Sequence, residues 1–314
     1  MNEAREPSSH AIKTELSREL SLFQITMMGV GMMIGWGVFV GTGVTIGTAG
    51  PGGVLLTFAF NGLIALFTAL SYAQLSSAIP RAGGAYNYAS ISFGKGVSFL
   101  VGWIEWFASS VAGSIYSIAF ATYTVHFLAR IGMLESVGIP LFLVEKIFAV
   151  AVALLFIYVN YRGASKTGLA GSIMTLGQTL TMAFIAMAGF WTVYHDPSRL
   201  RNFVPFLPNG WDKILVTMAF TYVAFEGYEV IVQTGDEAID PRRNLTKAIL
   251  FSLLIVVCTY LAVAFATLVA VRGVDTEAWK WIGQDGPTGF GEAIARLIPY
   301  GGILVIVAVV FSST

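Results

Sequence analysis

Eight apolar runs in 314 residues leave this chain little choice of architecture. They cover about residues 22–47, 53–78, 97–128, 140–160, 168–193, 213–234, 246–271 and 298–314. Crossing a bilayer takes about 20 mostly apolar residues as a helix, or about 10 alternating ones as a barrel strand. In lipid the backbone must satisfy its own hydrogen bonds, so runs this long become helices. Composition agrees: 56% of residues are hydrophobic and 11% charged, and mean hydropathy is +0.74. An average soluble domain carries roughly 25% charged residues. The expected class is an all-α polytopic membrane protein, with the lipid bilayer as its first partner. The last run is the shortest, and the chain stops at Ser312, Ser313 and Thr314 without a basic anchor. This predicts a chain truncated within its eighth helix.

Charge excludes several functions. Net charge is zero, so no basic surface points to nucleic acid. Cys258 is the single cysteine and cannot form an internal disulfide. The sequence holds no HExxH, cysteine pair or GxSxG, and His10, His126 and His195 are scattered. No catalytic residue, metal site or cofactor is expected, and the chain does not read as an enzyme. Residues 1–21 read as a polar cytoplasmic tail without the pattern of a signal peptide. With the N-terminus in the cytoplasm, ten of the 18 Lys and Arg fall on the cytoplasmic side. The connections between spans 2 and 3, 4 and 5, and 6 and 7 hold seven of them. The expected location is a plasma or inner membrane.

Polar chemistry enters the membrane at three places. The first span carries Gly29, Gly31, Gly35, Gly37, Gly41, Gly43 and Gly47. Each glycine weakens a helix by about 1 kcal/mol relative to alanine. Such a span either packs very closely on its neighbours or is broken in the middle. The sixth span, Thr217–Gly235, contains Glu226 and Glu229 around Gly227. On a continuous helix Glu226, Glu229, Gln233 and Asp236 would share one face. The third span places Glu105, Ser109, Gly113 and Tyr116 on one face, which reads either as a cavity wall or as an interfacial anchor beside Trp103 and Trp106. Carboxylates inside spans are costly and mark function, so Glu105, Glu226 and Glu229 are the candidates for a coupling proton.

Spans 1 and 6 are both glycine-interrupted and lie five spans apart. An odd number of spans makes the second set start from the opposite side, as in an inverted repeat. Paired interrupted spans point to a transporter site. Freed N–H groups suit a carboxylate and freed carbonyls an ammonium, which together suit the backbone of an amino acid.

Four stretches carry a family resemblance: GVGMMIGWGVFVGTG (29–43), YAQLSSAIPRAGGAYNYA (72–89), NYRG (160–163) and FEGYEVIVQTGDEAIDPRRNLTKAI (225–249). In this order the chain resembles the permeases of the amino acid–polyamine–organocation (APC) superfamily. The resemblance implies the leucine-transporter-type inverted repeat with broken helices 1 and 6. Residues 22–193 would be the first repeat and 194–314 an incomplete second one. Gly35, Trp36 and Gly37 would then offer N–H groups to the substrate, beside Met33 and Ile34. Ala224, Phe225, Glu226 and Gly227 would offer carbonyls, and Ser109, Gly113 and Tyr116 would line the third side. Three departures stand out. The family's acidic residue in helix 6 matches Glu229, which makes Glu226 an addition at a usually apolar position. Gln178 stands where some members carry a lysine used in ion coupling. Gln74 replaces a common glutamate.

The expected function is a secondary transporter moving amino acids or related amines by alternating access, coupled to protons or exchanging. The alternative is a non-transporting fragment, sensor or subunit of a larger membrane complex.

Overall fold

A computed structural model describes residues 18–134, 138–161 and 167–312. Arg162 and Gly163 of the NYRG stretch, and most of the N-terminal tail, lie outside the described residues. The described residues form helices, with no strand among them beyond one isolated bridge.

The first span is not one helix. Its inner half, α1 (Leu22–Met33), starts on a capping box in which Ser21 and Gln24 satisfy each other's backbone N–H groups. Helical geometry stops at Ile34 and Gly35. It resumes through a π-turn at Gly37–Gly41 and continues as α2 (Thr42–Ala78). From Gly37 to Ala78 the helical stretch is 42 residues long, roughly 60 Å if straight, about twice the hydrocarbon thickness. It does not run straight. Gly50, at φ 81°, bends it immediately before Pro51. The runs expected at 22–47 and 53–78 therefore meet at this bend without a loop.

The short α3 (Gly84–Ser92) leads into the long α4 (Lys95–Arg130), followed by α5 (Leu141–Tyr161) and α6 (Thr167–His195). Large apolar side chains remain exposed along these three, such as Trp106, Leu154 and Met187. That is the surface expected against acyl chains.

The sixth span is interrupted like the first. It consists of α7 (Gly210–Thr221), a 3-10 turn at Tyr222–Phe225, and the six-residue α8 (Tyr228–Gln233). Then come α9 (Pro241–Ala270), the short α10 (Ala278–Gln284) and α11 (Gly289–Leu297), and α12 (Gly301–Ser312).

Helix α9 is the axle of the fold. It packs against α1, α2 and α6, and Tyr260, Val256 and Val263 along it are fully buried. Its last carbonyls are capped from the connection after α6. Arg199 Nη1 donates to Val269 O (3.1 Å) and Ala270 O (3.3 Å), and Asn202 Nδ2 to Leu268 O (2.8 Å) and Val271 O (3.0 Å).

Polar contacts set the direction of the helices. Thr57 meets Thr217 (2.9 Å), and Asn61 Nδ2 donates to Met218 O (3.2 Å) and Thr221 Oγ1 (3.0 Å), so α2 and α7 run parallel. Across the two interrupted spans the order reverses. A Cβ at Gly29 would lie 2.5 Å from Ile231, Gly227 packs on Met33, and Gly37 packs on Ala224. The interrupted spans are therefore antiparallel, and each break lies against the other.

Candidate functional site

At the break in α1 side chains bind three successive carbonyls, those of Met32, Met33 and Ile34. Tyr116 Oη, on α4, donates to Met32 O (2.5 Å). Tyr260 Oη, on α9, donates to Met33 O (2.6 Å). Ile34 O receives Gln178 Nε2 from α6 and Ser312 Oγ (3.0 Å) from α12. Four separate helices thus converge on three residues. Buried backbone groups need partners, and here side chains supply them.

Tyr260 does more than fill one vacancy. Its hydroxyl also lies 3.0 Å from Ala224 O, in the 3-10 turn of the other interrupted span. One buried phenol pins both breaks. Phe225 seals the contact, with ring centroids 5.1 Å from Tyr260 and 6.2 Å from Phe58.

Glycine is required where helices touch at the break. A Cβ on Gly35 would collide with the Tyr116 ring, and one on Gly37 with Ala224 and the Tyr260 hydroxyl. Trp36, between them, is half-buried and packs edge-on against Phe220 at 5.0 Å. In the second break Gly227 adopts φ 144°, outside the range of L side chains.

The amide groups left over are few. Gly35 N–H folds back onto Met33 O (3.0 Å), whereas among the described residues the Trp36 and Gly37 N–H groups have no backbone acceptor across the break. Ala224 O is taken by Tyr260, and Gly227 O accepts from Val230 N–H (3.3 Å). Among the described residues the Phe225 and Glu226 carbonyls accept no hydrogen bond.

The carboxylates separate by partner. Glu229 Oε2 accepts the Gly227 N–H (2.8 Å), closing the first turn of α8. Glu105 Oε1 accepts from Gln233 Nε2 (2.8 Å), joining α4 to α8. Asp236 Oδ2 accepts from Ala82 N–H (3.1 Å). Glu226 stays exposed in an extended link, with ψ 145°. The single acidic face expected over 226–236 does not form, because α8 begins only at Tyr228 and ends at Gln233. The face expected on α4 does form: Glu105 meets α8, Tyr116 meets α1, and Ser109 and Gly113 between them are exposed.

A cavity of about 260 Å³ lies elsewhere. It is lined by Tyr123, His126, Glu292 and Val305, among others, near the far end of α4. It reaches none of the freed backbone groups.

Comparison with known proteins settles the family. The profile described as "Amino acid permease" matches residues 20–312. The chain belongs to the amino acid permease family. That family lies within the APC superfamily, and its members are transporters, not enzymes. The permease chain is 30% identical to the branched-chain amino acid permease BcaP of Bacillus subtilis, over 92% of this chain and 63% of that protein. It is 26% identical to the methylthioribose transporter of the same organism, over 97% and 66%. It is 30% identical to cationic amino acid transporter 9 of Arabidopsis thaliana, over 79% and 44%. The chain spans less than two thirds of the length of these relatives.

The structure brings Met33, Ile34, Gly35, Gly37, Tyr116, Ala224, Phe225 and Gly227 of the permease into one contact region. Ser109, Gly113, Glu105, Glu226 and Glu229 lie on its borders. Sequence reading overlooked Tyr260, Ser312 and the pairing of Gln178 with the break. Tyr260 had a signal: it is the one tyrosine in the apolar run 246–271, and a buried phenol needs an acceptor.

Proposed function

We propose that this chain carries the substrate site of a secondary transporter for amino acids or related amines, working by alternating access. One observation carries the reading: two interrupted, antiparallel helices meet break to break, and a single hydroxyl, that of Tyr260, holds both. The unpartnered N–H groups at Trp36 and Gly37 suit a carboxylate, and the Phe225 and Glu226 carbonyls suit an ammonium. Met33, Ile34, Gly35 and Ala224 shape the site through their backbone, Gly227 permits the turn, and Ser109, Gly113 and Tyr116 form the wall on α4.

In this reading residues 22–193 and 194–314 belong to two inverted repeats. The breaks at Gly35 and Phe225–Gly227, five spans apart and antiparallel, support it. The helices of the two breaks rock against the rest, and substrate shifts the balance by binding the two states unequally. The coupling proton is assigned to Glu229 or Glu105: Glu105 hydrogen-bonds from α4 to Gln233 of α8, and Glu229 to the Gly227 N–H at the second break. The chain is assigned to a plasma or inner membrane, and the Lys and Arg distribution supports a cytoplasmic N-terminus.

Binding of labelled amino acids to the full chain tests the site. Gly35→Leu drives a side chain into Tyr116 and is expected to abolish binding. Unchanged binding in this variant would remove the assignment. Uptake into proteoliposomes with and without a pH gradient tests the proton. Gradient-independent uptake would exclude it.

A further inference from the structure

Three carboxylates border the helix breaks, and the chain answers two of them. Gln233 donates to Glu105 and the Gly227 N–H to Glu229. Glu226 has neither a hydrogen bond nor an ion pair among the described residues. Its neighbours hold it in place. Phe225 before it is fully buried against Phe58 and Tyr260, and Gly227 after it packs on Met32 and Met33. The Glu226 backbone is thereby fixed at the break.

No basic side chain is within reach along the surrounding spans. Lys, Arg and His are absent from residues 19–80, 96–125, 171–194, 214–241 and 248–271. Room exists nearby on α4, where a Cβ at Gly113, one turn before Tyr116, would have no atom within 4 Å. A carboxylate at the middle of a span needs a partner. A neutral amino acid brings an ammonium already balanced by its own carboxylate. An amino acid with a cationic side chain brings one further positive charge.

We propose that Glu226 selects substrates with a cationic side chain by pairing with the side-chain ammonium or guanidinium. This rests on the placement of the substrate site at the two breaks. Glu226 is then a specificity residue, separate from Glu105 and Glu229, whose oxygens are engaged within the chain.

The test is equilibrium binding of labelled arginine, lysine and leucine to the full chain at one pH. Wild type is expected to favour arginine and lysine. Glu226→Gln should lower the arginine-to-leucine affinity ratio by roughly 5-fold or more, as expected when one partner of a charge pair is removed. Glu226→Asp should retain the preference. An unchanged ratio in Glu226→Gln, or a wild type that favours leucine, overturns the proposal. So does a Glu226→Gln variant in which only the pH dependence of binding changes, because Glu226 would then carry a proton. Gly35→Leu separates the two levels. If it abolishes all binding while Glu226→Gln keeps the ratio, the site stands and only the selectivity fails. If it binds all three ligands normally, the site is elsewhere and both readings fall.

Discussion

The hydroxyl of Tyr260 lies 2.6 Å from the carbonyl of Met33, a residue 227 positions earlier in the chain. The same oxygen is 3.0 Å from Ala224 O. Two helices broken at different places in the sequence are thus joined through a third, and the joint is a single atom in a fully buried side chain.

Tyr260→Phe deletes that atom and little else. The Ala224 carbonyl loses its donor, and Met33 O keeps only the Gly35 N–H. A buried polar group left unpaired costs about 1–3 kcal/mol. The variant should unfold at lower temperature in detergent and lose substrate binding. Unaltered melting and binding together would show that the joint is dispensable.

Gly35 and Tyr116 should behave as one unit. Gly35→Ala places a Cβ inside the space of the Tyr116 ring, which must move and give up its bond to Met32 O. Tyr116→Ala alone opens a void and frees that carbonyl. Because the partners touch, the double variant should be less damaged than the sum of the singles, with a coupling of about 0.5–3 kcal/mol. Additive losses of stability would separate the two residues.

Ile34 O has two donors, so either one is expendable alone. Gln178→Leu leaves Ser312 on the carbonyl, and Ser312→Ala leaves Gln178. Each single change should cost about 1 kcal/mol, the ordinary net value of a hydrogen bond. The double variant strands the carbonyl and should exceed the sum. Buried Gln178 Oε1 has no partner of its own, which lowers the cost of replacing that side chain. Thermal melts of the three variants decide it.

Asp196 links acidity to the cap on α9. It lies outside the spans, where hydrogen bonds from Ser198 and Arg199, then the charges of Arg199 and Arg272, hold its carboxyl below the usual carboxylate range. A lowered folded value stabilises the protein above the unfolded pKa and stops doing so as pH falls through the folded one. Asp196→Asn should therefore melt below wild type at neutral pH. The gap should close as pH drops below about 4. A gap that persists in acid would remove Asp196 from the cap.

Sequence patterning alone determined the membrane class, the helical spans and the two interruptions. Apolar length and glycine density are local properties, and lipid leaves the backbone no alternative to helices. Gly35 and Gly227 were legible for that reason, since a break must occur where helix formers are missing. Tertiary structure decided what the freed groups do. Tyr260, Gln178 and Ser312 reach the first break from positions 144 to 278 residues away along the chain, and no spacing rule connects them. The acidic residues show the same division. Sequence marked Glu105, Glu226 and Glu229 as costly. Only packing revealed that Gln233 and the Gly227 amide answer two of them and leave Glu226 open, because hydrogen-bond partners are chosen in space by whichever donor the fold brings within 3 Å.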